Sequence, residues 1–239
     1  MKNVAALTRR EIGTYFLSPM PYIVLLVFIV LSGIIFFDAL DRFHQADMRG
    51  VVGFMGVLLM FVSPMITMRL FAEEFESGTI ETLMTAPVTT FEVVLSKYLA
   101  SLFFLVVALA VSMVYPVVLF WVGQPDPGPV VAGYLALLLL GSFFIAVGLV
   151  ASACVRSQIS AAVATLFVLL VLWIVIPWLF SREAVDPISK AVRYLSFFDH
   201  FADFFGKGAV DTRHVVYFSS TNLFCVFLTT VIVAVRRWR

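Results

Sequence analysis

Charged residues are scarce in this sequence of 239 residues. Only 13% of them are Asp, Glu, Lys or Arg, whereas 62% are hydrophobic. Soluble domains carry about 25% charged residues, so the composition excludes a soluble globular protein and predicts a membrane protein. The net charge of +1 gives no indication of a nucleic-acid partner.

Cysteine and histidine are also scarce. The two cysteines, Cys154 and Cys225, each lie in an apolar run, so the sequence indicates neither a disulfide framework nor a C-x-x-C metal motif. The three histidines, His44, His200 and His214, fall outside the apolar runs near several aspartates. Their spacing does not match a set of metal ligands, so we expect no metal site.

Six apolar runs are long enough, with their flanking residues, to cross a bilayer as helices. They lie at roughly 20–37, 51–68, 98–122, 130–155, 159–180 and 215–235. The sequence therefore predicts an all-α integral membrane protein in which residues 1–239 form one transmembrane domain. Basic residues at both ends of the chain place both termini in the cytoplasm by the positive-inside rule.

Ionisable residues are absent from these six predicted spans. Proton-coupled carriers commonly place carboxylates or histidines in the membrane, and an intramembrane hydrolase needs polar catalytic groups. The absence therefore argues against both classes. A sodium-coupled carrier that uses backbone carbonyls stays open.

An acidic segment at residues 71–99 follows the second span. Phe71 and Phe75 are one helical turn apart, with glutamates on the other faces, which predicts a short amphipathic helix that ends at Gly78. Thr79 can cap a second short helix, and Pro87 would end that helix.

The sequence TTFE at residues 89–92 then forms a capping box for the third span. On the predicted topology, the whole acidic segment lies at the cytoplasmic surface. It is either an ordinary interfacial loop or an element on which another protein docks.

The acidic segment resembles the region after span 2 in the permeases of ABC-2 type transporters. The run REIGTYFLSP before span 1 resembles the interfacial connecting helix of the same family. Within the family, the chain is most similar to the permeases of gliding motility and of nitrous-oxide reductase maturation. The residues that carry the main match are Glu74, Gly78, Thr79, Glu81, Leu83, Pro87 and Lys97.

The resemblance implies six spans, a cytoplasmic coupling helix after span 2, and short outer helices between spans 5 and 6. It also implies that two permease subunits pair, as two copies or as related chains, and that each docks a cytoplasmic ABC ATPase. A second contact with the ATPase would fall at residues 156–160. The implied ATPase-coupling residues are Phe71, Glu73, Glu74, Gly78, Thr79, Glu81, Leu83 and Pro87.

The sequence has no G-x-x-x-x-G-K-[ST] phosphate loop. We therefore expect no cofactor and no enzymatic activity in this chain, with ATP and magnesium bound by the partner ATPase. The expected location is a bacterial inner membrane, where the further partners are membrane lipid and a periplasmic protein.

Two polar features lie near the predicted outer side. The segment 187–206 is an amphipathic pattern that suits the implied outer helices, either as a lid over helix ends or as a substrate gate. In span 6, Ser219, Ser220 and Asn222 either hydrogen-bond neighbouring helices or line a substrate path.

The leading function hypothesis is a permease subunit of an ATP-driven exporter. One alternative is a non-transporting membrane scaffold in a motility or periplasmic-maturation machine. A secondary carrier would work without any ATPase. The sequence does not identify a cargo.

Overall fold

The computed structural model describes residues 2–43, 48–79, 88–123, 125–175 and 211–237, together with residues 178, 197, 200 and 201. None of these residues lies in a β-strand, so the all-α prediction is confirmed for this part of the chain. The helices are α1 (Lys2–Leu17), α2 (Met20–Phe43), α3 (Arg49–Thr67), α4 (Ala72–Ser77), α5 (Thr90–Ser112), α6 (Val114–Val122), α7 (Pro127–Cys154), α8 (Gln158–Leu170) and α9 (Thr212–Arg237). A π-helical turn at Val171–Val175 continues α8.

Six helical stretches are long and apolar enough to cross a membrane, and each overlaps one predicted span. Flanking residues lengthen the first two beyond their apolar runs, as expected. The predicted outer helices at 187–206 lie outside the described residues, apart from residues 197, 200 and 201. The six stretches are Met20–Asp41, Arg49–Ser77, Thr90–Val122, Pro127–Cys154, Gln158–Val175 and Thr212–Arg236.

The third span begins earlier than its apolar run. Helix α5 starts at Thr90 because the capping box forms: the Glu92 amide donates to Thr89 Oγ1 at 3.2 Å, and the Thr89 amide donates to the Glu92 carboxylate at 3.0 Å. Lys97 therefore lies inside the helix, about two turns from its start. The apolar run at 98–122 does not include this lysine, but the helix start predicted from the capping box does, and the structure confirms that start.

Helix α7 is the centre of the bundle. It packs against α3, α5, α8 and α9. In its apolar 18-residue stretch, 72% is buried inside the protein. A helix that is apolar on all sides is typical of a position enclosed by other helices. Gly141 and Gly148 let Leu105 and Thr67 from neighbouring helices lie directly against the α7 backbone.

The third span is interrupted at Met113, between α5 and α6. Pro116 has no backbone N–H, so the carbonyl of Ser112, four residues earlier, has no helical hydrogen-bond donor. The Tyr134 hydroxyl of α7 donates to this carbonyl at 2.8 Å. A side chain from the central helix therefore satisfies the carbonyl that Pro116 leaves without a helical partner.

Helices α2, α8 and α9 lie at the periphery. In the apolar 18-residue stretches of these three spans, only 28%, 22% and 28% is buried inside the protein. Leu26, Phe167 and Leu223 are among their exposed apolar side chains. Such surfaces fit contact with lipid or with another membrane subunit.

Candidate functional site

The first amides of α4 are fixed to the central helix. The backbone amides of Phe71 and Ala72 donate to Ser152 Oγ at 3.0 and 3.1 Å, and the same hydroxyl lies 3.4 Å from the Met68 carbonyl that it donates to. Phe71 is the N-cap residue of α4 and has no side chain that could accept these bonds. Ser152 supplies the missing acceptor from α7.

Two aromatic rings anchor the inner face of α4. Phe71 is completely buried, and the Phe75 ring lies 6.3 Å from it. The Lys97 ammonium lies 5.3 Å from the Phe71 ring centre, and the Arg236 guanidinium lies 4.8 Å from that of Phe75. Arg236 also donates to the Cys154 carbonyl at the end of α7.

A buried lysine joins α4 to two other helices. Lys97 on α5 is only 2% exposed. Its Nζ lies 2.6 Å from Glu74 Oε1 on α4 and 3.4 Å from Glu11 Oε2 on α1. Buried ion pairs of this kind are costly to break, because removing one partner leaves an uncompensated charge. We call Lys97, Glu74 and Glu11 the charge triad.

Helix α1 is also tied to the end of α3. The Tyr15 hydroxyl donates to the Ile66 carbonyl at 2.8 Å and lies 3.2 Å from Ser101 Oγ on α5. Burial raises the pKa of the Tyr15 phenol above its ordinary value, so the hydroxyl stays protonated up to a higher pH than an exposed tyrosine. Arg69 donates to Ser18 Oγ at 3.1 Å in the connection between α1 and α2.

The opposite face of α4 is exposed. Glu73, Glu76 and Ser77 are exposed, as are Gly78 and Thr79 at the end of the helix. Glu73, Ser77 and Thr79 also line one side of a cavity between α4 and α1. Ser77 Oγ donates to the Glu73 carbonyl at 2.7 Å and lies 2.9 Å from Thr79 Oγ1.

The chain turns at Gly78 as predicted. Gly78 has φ 72°, in the left-handed region, and is the C-cap of α4. This conformation suits glycine because it has no Cβ. The turn gives the exposed face of α4 a defined end.

The predicted coupling residues therefore divide into two groups. Phe71 and Glu74 face inward and hold α4 in place, whereas Glu73, Gly78 and Thr79 are exposed. The remaining predicted residues, Glu81, Leu83 and Pro87, and the second short helix lie outside the described residues.

The predicted second contact region lies next to the first. Helix α4 contacts α8, and α8 begins at Gln158, directly after the short connection from α7. Arg156 and Ile159 are exposed there. The structure thus brings the exposed face of α4 and residues 156–160 to the same end of the bundle.

The polar residues of span 6 separate from one another. Ser219 and Ser220 are exposed on α9, and the Ser220 hydroxyl donates to the Tyr217 carbonyl at 2.9 Å. Asn222 is half-buried and donates from Nδ2 to Ser142 Oγ on α7 at 2.7 Å. The Asn222 contact favours helix packing, and a substrate path along these residues stays a prediction.

Two of the three histidines meet. His200 Nδ1 and His214 Nδ1 are 2.7 Å apart, and the His200 ring stacks on Tyr217. His44 lies outside the described residues. Across the described part of the chain, no three His, Cys, Asp or Glu residues cluster as metal ligands.

Helix α4 is thus a short helix held on its inner face and exposed on its outer face, after the second span of a six-span bundle. The family profile of the ABC-2 type transporters matches residues 2–208 of this chain. The chain belongs to this family. It is a transmembrane permease domain of that type. No curated protein matches the chain.

Sequence reasoning missed two residues that contact α4 in this ABC-2 permease and two that hold α1 beside it. All four lie far from α4 in the chain, and the packing of the long helices brings them to this end of the bundle. The pair Gly148 and Ser152 carries the spacing of a close helix contact, but that spacing did not reveal the acceptor role of the serine. The four residues are Glu11, Tyr15, Ser152 and Arg236.

Proposed function

We propose that this permease docks a separate cytoplasmic ATPase on the exposed face of α4 and uses the motion of that ATPase to export a substrate. Membership of the ABC-2 family supports a partner ATPase, since permease domains of this type typically lack their own. The absence of a phosphate-loop motif from the sequence agrees with this division of labour.

The arrangement of α4 carries the proposal. A docking element that transmits motion must be exposed on one face and fastened on the other. Glu73 and Glu76 are exposed, whereas Ser152, the charge triad and the Phe71 ring fasten the inner face. An ordinary solvated loop needs no such set of buried contacts.

The charge triad would distribute the motion. Because Lys97 on α5 contacts both Glu74 on α4 and Glu11 on α1, displacement of α4 would move α1 and the third span with it. Coupling between sites is carried by such packed and hydrogen-bonded networks. In this proposal, Glu74 and Lys97 position α4 and do not touch the ATPase.

Site-directed cross-linking tests the docking surface. We expect a Glu76→Cys variant to form a cross-link to the ATPase subunit when the complex is purified from its native membrane. The exposed native Cys154 is first replaced by alanine, because it lies at the end of α7 near α4. Cysteine at Trp121, which is 87% exposed at the end of α6, is the control and should not capture the ATPase.

A cross-link from the Trp121 position alone, or capture of no nucleotide-binding subunit from either position, would refute the docking assignment. Transport is then tested in liposomes that contain the complex. Movement of a solute or lipid on addition of ATP supports an exporter. ATP hydrolysis without any movement favours the scaffold alternative.

Substitution of Gly78 should impair coupling through backbone conformation. A β-branched residue at φ 72° costs about 1–2 kcal/mol, so Gly78→Val should reduce permease-stimulated ATPase activity about tenfold. A Cβ at this position would meet no atom of the described residues within 4 Å, so crowding against them is not the cause. Gly78→Asn is the matched control, because asparagine tolerates the left-handed region.

In this pair of variants, the asparagine protein should retain most of the ATPase stimulation. Equal activity of the valine and asparagine variants would show that the turn at Gly78 does not set the docking geometry. A thermal unfolding measurement on both variants separates this effect from general loss of folding.

The identity of the second subunit follows from the same purification. The exposed apolar faces of α2 and α8 give room for a second permease subunit, which the family implies. The likeness to motility and enzyme-maturation permeases suggests that a periplasmic protein can accompany the complex. Mass spectrometry of the purified complex identifies the second permease subunit and any periplasmic protein that accompanies it.

A further inference from the structure

A cavity of about 510 Å³ lies between α1, the start of α2, the end of α3 and one side of α4. One part of its wall is apolar and includes Val24, Met65 and Ile66. Another part is charged and includes Arg10, Arg69 and members of the charge triad. A cavity with adjoining apolar and charged walls matches an amphipathic ligand.

The charged lining of the cavity is balanced, with Arg10, Arg69 and Lys97 on one side of the count and Glu11, Glu73 and Glu74 on the other. Lys97 Nζ lies within 3.4 Å of both Glu74 and Glu11, so these two carboxylates share one cation. The guanidinium groups of Arg10 and Arg69 lie outside this triad. They are the groups in the cavity that can donate hydrogen bonds to an anion.

Arg69 is only partly satisfied by the protein. Its Nη1 donates to Ser18 Oγ at 3.1 Å, and its buried Nε has no acceptor within the described part of the chain. A guanidinium has five N–H donors, and buried arginines are normally paired. Within the same described residues, Arg69 and Arg10 take part in no ion pair.

The position of the cavity indicates where the ligand comes from. Helix α1 contains Arg9, Arg10 and Glu11, whereas α2 begins its apolar run at Met20. The connection between them is therefore where the chain enters the bilayer, at the depth of lipid headgroups. Met65 is 38% exposed at this level, which leaves an apolar path along the cavity wall.

We propose that this cavity binds the phosphate of a glycerophospholipid from the adjoining leaflet. Arg69 and Arg10 donate to the phosphate oxygens, and the acyl region lies along the apolar wall at Met65. Guanidinium groups bind phosphate by strong, charge-assisted hydrogen bonds. The bound lipid would wedge between α1 and α4 and so link the local lipid composition to the position of α4.

Native mass spectrometry of the purified full-length permease tests the proposal. The protein is reconstituted with phosphatidylglycerol and phosphatidylethanolamine and then released into detergent. We expect the wild-type protein to retain phospholipid and Arg69→Gln to retain about tenfold less, as loss of a charge-assisted hydrogen bond implies. Arg9→Gln is the control, since Arg9 is exposed on α1 and does not line this cavity.

A second pair of variants keeps the test decisive if Arg69→Gln does not fold. Ser18→Ala removes the hydroxyl that orients Arg69, and Arg10→Gln removes the other guanidinium. Both should lower lipid retention by a smaller factor. Retention equal to that of Arg9→Gln in every correctly folded variant would overturn the proposal.

Competition with inorganic phosphate distinguishes the source of the anion. If a large excess of inorganic phosphate does not displace the retained phospholipid, the result supports a lipid site. Complete displacement would show that the cavity takes a free anion, and would overturn the lipid assignment. The readout needs no ATPase, so it succeeds or fails separately from the docking proposal.

Discussion

Replacing Lys97 by methionine should destabilise the permease by about 3 kcal/mol or more, because Glu74 and Glu11 would lose the cation that compensates them. Lys97 is 2% exposed, and the side chains of Glu74 and Glu11 are 20% and 15% exposed, so water replaces the lost contact poorly. Thermal unfolding of the purified protein in detergent measures the loss.

Arg9→Met is the matched control for this prediction. Arg9 is an exposed basic residue on α1, and surface substitutions of this kind usually change stability by less than about 0.5 kcal/mol. If the Lys97 and Arg9 variants unfold at the same temperature, the charge triad does not hold α4 in place.

A further variant separates folding from coupling. Adding Glu74→Gln to Lys97→Met removes one of the uncompensated charges and should recover part of the lost stability. The proposed function predicts that transport per ATP hydrolysed stays low, because α4 and α5 are no longer joined by an ion pair. Full recovery of transport along with stability would show that the triad serves folding only.

Gly148→Ala should also be strongly destabilising. A Cβ at Gly148 would lie 2.1 Å from Thr67 Oγ1 and 2.7 Å from Thr67 Cβ. Thr67 is completely buried and its hydroxyl donates to the Ser63 carbonyl at 2.9 Å, so the side chain cannot rotate away without losing that bond. Overpacking of this kind costs about 1–3 kcal/mol, measured as a lower unfolding temperature.

Two other glycines give a graded comparison. At Gly141, the nearest atoms belong to the flexible end of Leu105, so Gly141→Ala should cost less. At Gly13 on α1, a Cβ would meet no atom within 4 Å in the part of the chain that the structure describes, and alanine should be neutral or slightly stabilising in a helix. If the three variants show no such order, the close contact between α3 and α7 is not as described.

Local features were predictable from the sequence. The capping box of Thr89 and Glu92 and the left-handed turn at Gly78 depend on residues that are close in the chain. The six spans were predictable because each is an apolar run of sufficient length. Hydropathy alone places the third span at 98–122, whereas the capping box predicted an earlier helix start, and the helix does begin at Thr90.

The contacts that hold α4 could not be predicted in this way. Ser152 is 81 residues from Phe71, and Glu11 is 86 residues from Lys97. No local pattern specifies which polar group meets which across such distances, since the packing of the long helices decides it. For the same reason, the inward direction of Glu74 could not be told from the outward direction of Glu76.

The hydroxyl of Ser152 has a consequence for how force would travel through the molecule. It holds two amides at the start of α4, and it belongs to the most enclosed helix of the bundle. A load applied to α4 therefore reaches the middle of the protein without passing through a flexible linker. The same helix carries Tyr134, whose hydroxyl donates to the Ser112 carbonyl where the third span is interrupted. Helix α7 therefore connects the start of α4 directly to the interruption in the third span.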